Sequence, residues 1–185
     1  MLNIPEYKEY GGETQIALMD NSSLAFMHEL SQRSYPSDGI LSVYDLILIP
    51  KWVMEEIEDS TYRSTYVEQL QAKGYPIRWI DETKYGAFVN DEDVNLYYIV
   101  EAAVSRVSEL MRFLRRKVKT EDLIDLPSAE EWMNRLYDEW PIHGRTLSTG
   151  RTLKKNAGEI SLTILAEIFA WYHDCLLYTS DAADD

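Results

Sequence analysis

Four acidic residues sit where an active site would need them. Asp20 directly follows the apolar run 15–19; Glu55 and Glu56 lie a turn and a half beyond Pro50, which ends the apolar run 46–49; Glu159 follows Gly158 at the head of the last apolar-periodic stretch. Carboxylates gathered together repel one another and drive their own pKa values upward unless a cation sits among them. Mg²⁺ or Mn²⁺ suits such a set, because hard cations take oxygen ligands and keep several waters. Each acid also has an ordinary use: Asp20 as a helix N-cap, Glu56 as a solvated helix residue, Glu159 as a favourable first-turn charge. Arg151, Lys154 and Lys155 precede Glu159 closely enough to serve equally as substrate contacts or as loop charges. Arg112, Arg115, Arg116, Lys117 and Lys119 are better read as a solvated helix C-terminus than as a phosphate guide. His28, His143 and His173 show no metal-ligand spacing, and neither a P-loop nor a Gly-x-Ser-x-Gly elbow occurs.

The elements that must carry these residues follow from periodicity and breakers. Residues 1–13 read as a polar and aromatic lead-in arm. Residues 15–19, 44–49 and 75–80 read as strands, the second apolar on both faces as buried parallel strands are. Helical periodicity covers 22–32, 51–60, 62–73, 91–119 and 159–172. Ser128 with Glu131 three residues later predicts a capping box opening another helix, which carries Trp132, Leu136 and Trp140 as packing residues and stops at Pro141. Residues 142–155 read as a polar loop. Alternating strands and helices predict an α/β three-layer sandwich on a mostly parallel sheet, with 91–140 as a helical insertion or arm. Ligands of such sheets bind beyond the carboxyl ends of the strands, which is where the acids fall.

Three segments in order resemble the motifs of the PIN-like nuclease superfamily across residues 15–173. Ile16-Ala17-Leu18-Met19-Asp20-Asn21-Ser22-Ser23-Leu24 is similar to its opening motif. Leu46-Ile47-Leu48-Ile49-Pro50-Lys51-Trp52-Val53-Met54-Glu55-Glu56-Ile57 is similar to its second, and Asn156-Ala157-Gly158-Glu159-Ile160-Ser161-Leu162 to its third. The resemblance implies a Mg²⁺- or Mn²⁺-dependent ribonuclease, either a toxin or an RNA-processing enzyme. Asp20, Glu56 and Glu159 would then be catalytic, metal-binding acids, and Ser22 a supporting hydroxyl. Glu55 competes for the second position, but the acid directly before Ile57 matches better. The family's fourth acid follows the strand after the Glu159 helix, where this chain offers only Asp181, which is left unassigned. The alternative is a PIN-like module that no longer cuts and binds a protein partner or inhibitor through 91–140.

Composition bounds both readings. The chain has 185 residues, 45% of them apolar, one Cys and a formal charge of −14. That content suits a single domain over 1–174 and excludes whole-chain disorder. It excludes a disulfide framework or a Cys-built zinc site. No stretch approaches the ~20 apolar residues of a membrane span, and the N-terminal residues do not resemble a secretion signal; a cytoplasmic protein is expected. An anionic protein has no general attraction for nucleic acid, so an RNA substrate would need bound metal or a local basic patch. Residues 175–185, CLLYTSDAADD, resemble a translated sequencing adapter and are expected to contribute little to the core. They hold three of the acids, so the body is acidic with or without them.

Overall fold

A computed structural model describes residues 2–89, 93–104, 128–173 and 176–179. Strands β1 (Gln15–Leu18), β2 (Leu46–Pro50) and β3 (Ile77–Ile80) are joined by helices α1 (Asn21–Gln32), α2 (Lys51–Glu58) and α3 (Thr61–Ala72). Two 3₁₀ segments, Ser37–Val43 and Glu82–Phe88, fill the connections on either side of β2 and β3. Helices α4 (Asp93–Val104) and α5 (Ala129–Asp138) follow, then a hairpin of β4 (His143–Thr146) and β5 (Thr152–Lys154), helix α6 (Ala157–Tyr172) and strand β6 (Leu176–Thr179).

The main sheet has the order β3-β2-β1-β6, and every pairing in it is parallel. Parallel strands need helical crossovers, which cover both faces and force both sets of alternating side chains to be apolar. The residues meet this demand. Ile16, Leu18, Leu46, Leu48 and Ile80 join one buried cluster with α4, α5 and α6. Ala17, Met19, Ile47, Ile49 and Ile77 join the other with α1, α2 and α3. The α/β class and the parallel sheet expected from the sequence are therefore present.

Several elements differ from the sequence reading. The arm is not merely a lead-in: Leu2, Ile4 and Tyr7 are buried, and the backbone bonds Tyr7 N–H to Trp79 O at 2.7 Å and Trp79 N–H to Pro5 O at 3.1 Å. It thereby covers the free edge of β3, a common protection of exposed strand edges. The described parts of the 91–140 segment contribute Leu96, Tyr97, Val100, Trp132, Met133 and Leu136 to the main core. The helix expected over 91–119 is described only to Val104, and the basic cluster from Arg112 to Lys119 lies outside the described residues. Half of the expected capping box is seen: the Glu131 N–H donates to Ser128 Oγ at 3.2 Å, while the Glu131 carboxylate pairs with Arg135. The polar loop of 142–155 is instead an antiparallel hairpin. Residues 176–179, expected to contribute little, form four register pairs with β1. No helix among the described residues is long and apolar enough to cross a membrane.

Candidate functional site

Each acid is positioned by a different local device. Asp20 caps α1: its φ and ψ of −94° and 171° are extended, and its Oδ1 accepts the Ser23 N–H at 2.6 Å. An N-cap carboxylate serves one of the orphan amides at the helix start and favours the positive end of the helix dipole. Pro50 ends β2 and stands before Lys51, the first residue of α2, with an extended backbone (φ −60°, ψ 149°); its fixed φ suits a helix entrance. Glu55 and Glu56 therefore fall in the second turn of α2, just beyond the carboxyl end of the sheet. Before α6 the chain turns through Asn156 at φ +61°, a left-handed conformation that Asn tolerates better than most residues. Gly158 follows, and a Cβ there would stand 3.0 Å from Val53 Cγ2 and 3.9 Å from Glu56 Oε1. The absence of that Cβ lets the opening turn of α6 approach α2 and brings Glu159 near Glu56.

The resulting electrostatics are specific. Burial raises the Glu56 pKa above its ordinary value and the neighbouring charge of Glu159 raises it further, against the opposing effects of Arg145, Asn21 and Arg63. Asn21 is a bridge: its Nδ2 donates to Glu56 Oε2 at 3.0 Å, and its Oδ1 accepts from Arg63 at 2.8 Å. Glu55 faces away into another group. Its carboxylate pairs with Arg151 at 2.8 Å and accepts from the Tyr137 hydroxyl at 3.4 Å. Burial raises the Glu55 pKa, with Arg151 opposing, while burial followed by the Glu55 charge pushes Tyr137 up to about 12.

The β4–β5 hairpin docks on α2 through its cations. Arg145 meets Asp59 at 3.3 Å and donates to the Glu56 carbonyl at 3.3 Å, and the Ser148 N–H donates to Asp59 at 2.7 Å. The sequence-predicted substrate contacts are placed as follows. Arg151 is held by Glu55 and lies over the Tyr137 ring. Lys154 donates to the carbonyls of Asp138 and Trp140 at 3.2 and 3.4 Å, tying the hairpin to the end of α5. Lys155 is exposed, with its backbone N–H bonded to Ile142 O and its carbonyl to the Trp140 indole. Ser22 is exposed at the head of α1, one residue from the Asn21 bridge. Asp181 lies outside the described residues.

The structure thus brings Glu56 and Glu159 together at the edge where Asp20 caps α1, and assigns Glu55 to a separate ion pair. Among the described residues no group of three or more His, Cys, Asp or Glu side chains is arranged to hold a metal ion. The Glu56–Glu159 pair alone could hold Mg²⁺ only as that ion is held by one or two carboxylates, with water filling its other positions. Sequence reasoning missed Asn21, Arg63 and Arg145. Asn21 was within reach as the polar residue after Asp20, but nothing along the chain ties Arg63 or Arg145 to Glu56. No family model, curated protein or solved structure matches the chain.

Proposed function

We propose that this chain is a PIN-like, three-layer α/β domain whose acidic edge acts as a divalent-metal-dependent ribonuclease site. The observation that supports it most is the closeness of Glu56 and Glu159 beyond the carboxyl end of a parallel sheet, the edge that also carries Asp20, with burial and then Glu159's charge raising the Glu56 pKa. A partly buried Glu56 beside the exposed Glu159 is a pair that a cation would stabilise. Glu56, Glu159 and Asp20 would hold Mg²⁺ or Mn²⁺, which when bound supplies Lewis-acid activation of a phosphodiester and of attacking water. Asn21 orients the Glu56 carboxylate, and Arg63 in turn orients Asn21. Arg145 adds positive charge where a phosphate backbone would approach a protein that is otherwise anionic.

A second reading has its own support. Arg145 and Arg63 already oppose the rise in the Glu56 pKa, and no three-acid group arranged to hold a metal occurs among the described residues. These features favour a PIN-like module that binds a protein partner without cutting. Metal titration separates the two. In the cleaving reading, Mn²⁺ raises the thermal midpoint, since a ligand that binds only the folded state stabilises it by mass action. Asp20→Asn and Glu56→Gln remove that rise, and any metal-dependent cleavage of single-stranded RNA disappears with them. Cleavage that survives Asp20→Asn places the activity elsewhere. A midpoint indifferent to Mg²⁺ and Mn²⁺ supports the non-cleaving module.

A further inference from the structure

Glu82 is fully buried, yet no motif of the sequence marks it and no step of the proposed activity uses it. It opens the 3₁₀ segment after β3, and its Oε1 receives two hydrogen bonds from different helices. The Trp52 N–H of α2 donates at 3.0 Å and the Ser161 hydroxyl of α6 donates at 2.8 Å. The Ser161 proton is committed to Glu82, so the 2.7 Å contact between Tyr85 and Ser161 must be donated by the Tyr85 hydroxyl. Trp52 is the second residue of α2, where an amide has no partner within the helix; Glu82 supplies one from outside it. Glu82 Oε2 has no hydrogen-bond partner among the described residues.

The two helices joined in this way are those that carry the acids. Trp52 lies one turn before Glu56, and Ser161 lies two residues after Glu159. Their opening turns already touch where Gly158 faces Val53. We propose that Glu82 is a positioning residue for the acidic edge, its carboxyl group clamping the start of α2 to the start of α6 and so setting the separation of Glu56 from Glu159. The choice of Glu56 and Glu159 as the pair that matters rests on the nuclease reading; the clamp itself does not.

Burial raises the Glu82 pKa to about 8 against the opposing hydrogen bonds from Trp52 and Ser161. The charged group beside it is Asp81, itself paired with Lys51 of α2 at 2.7 Å, and Tyr85 faces it from its own segment. The polar contact from α6 is the uncharged Ser161. A carboxylate accepting from an amide shifts that amide's resonance when it titrates, so Trp52 reports on Glu82 directly.

The test follows the Trp52 amide of the full chain by ¹⁵N–¹H NMR from pH 5 to 9. An inflection near pH 8 is expected, and it should vanish in Glu82→Gln. In parallel, urea unfolding of Glu56→Gln, Glu159→Gln and the double variant measures the coupling between the two acids. That repulsive coupling should be present in the parent chain, retained in Glu82→Gln, which keeps an acceptor, and lost in Glu82→Ala. If Glu82→Ala does not fold, Ser161→Ala, which cuts only the α6 tie, should reduce the coupling instead. A Trp52 amide that does not titrate, or a coupling of equal size with and without the clamp, overturns the proposal. Neither result bears on RNA cleavage, which is read by a separate assay.

Discussion

Glu82 also shows how a single side chain sets the pH response. Its folded-state pKa of about 8 lies above the ordinary glutamate value of 4.5, so across that window the folded chain holds a proton that the unfolded chain releases. The contribution is fully present below the unfolded value and is lost as pH rises through the folded one. Glu55 and Glu56, both raised chiefly by burial, act in the same direction. Glu82→Gln cannot titrate, so its stability relative to the parent should climb from pH 5 to pH 8 and level off above that. Urea midpoints measured at intervals across this range check it, and parallel curves for the two proteins would show that Glu82 does not change protonation there. At this scale legibility was uneven. Asp20 could be read both as a cap and as a site acid because its strand-to-helix context is local. Glu82 could not, because an Asp-Glu-Thr after a strand looks like a solvated turn until the fold closes α2 and α6 over it.

Strands and amphipathic helices were legible because their signals lie within a few residues: both-face apolar runs for β1 and β2, a three-or-four repeat for α1 and α6. The β4–β5 hairpin gave no such signal. All four residues of β4 are exposed, so there is no apolar alternation to read, and the hairpin is held instead by Arg145, Ser148 and Arg151 reaching α2. The closeness of α2 and α6 was equally hidden, since it depends on what a side chain at position 158 would strike. Gly158→Ala tests that contact. Alanine improves helix propensity by about 1 kcal/mol over glycine, but a Cβ 3.0 Å from Val53 Cγ2 requires that methyl, or α2 with it, to give way, and overpacking of this kind costs roughly 1–3 kcal/mol. The net expectation is a loss of about 1 kcal/mol in urea unfolding, together with a weaker coupling between Glu56 and Glu159. A stabilised variant would mean that the two helices give way without strain.

For the molecule as a whole, the strands β3-β2-β1 leave two edges, and they are covered differently. The N-terminal arm covers β3 through the Tyr7 and Trp79 backbone bonds. On the other side β6 covers β1, pairing Gln15 with Leu176 through to Leu18 with Thr179. The adapter-like character of residues 175–185 implies that this edge strand is dispensable, whereas the pairing implies that it is used. Removing Cys175 to Asp185 would leave the backbone of β1 unpaired on one side while α6 still covers its apolar face. Lost edge hydrogen bonds are each worth about 0.5–1.5 kcal/mol net. In a chain of this length each kcal/mol moves the thermal midpoint by roughly 2–4 °C. A fall on the order of 5–10 °C is therefore expected from calorimetry of the shortened chain. The bared β1 edge should also favour strand-to-strand association, visible as a concentration-dependent rise in mass by light scattering. The shortened chain, without the three tail aspartates, still carries a net charge of −11 that opposes this association, so added salt should strengthen it by screening. A midpoint unchanged by the deletion, with the protein still monomeric in salt, would show that β1 does not need β6 and that the segment adds nothing to the sheet.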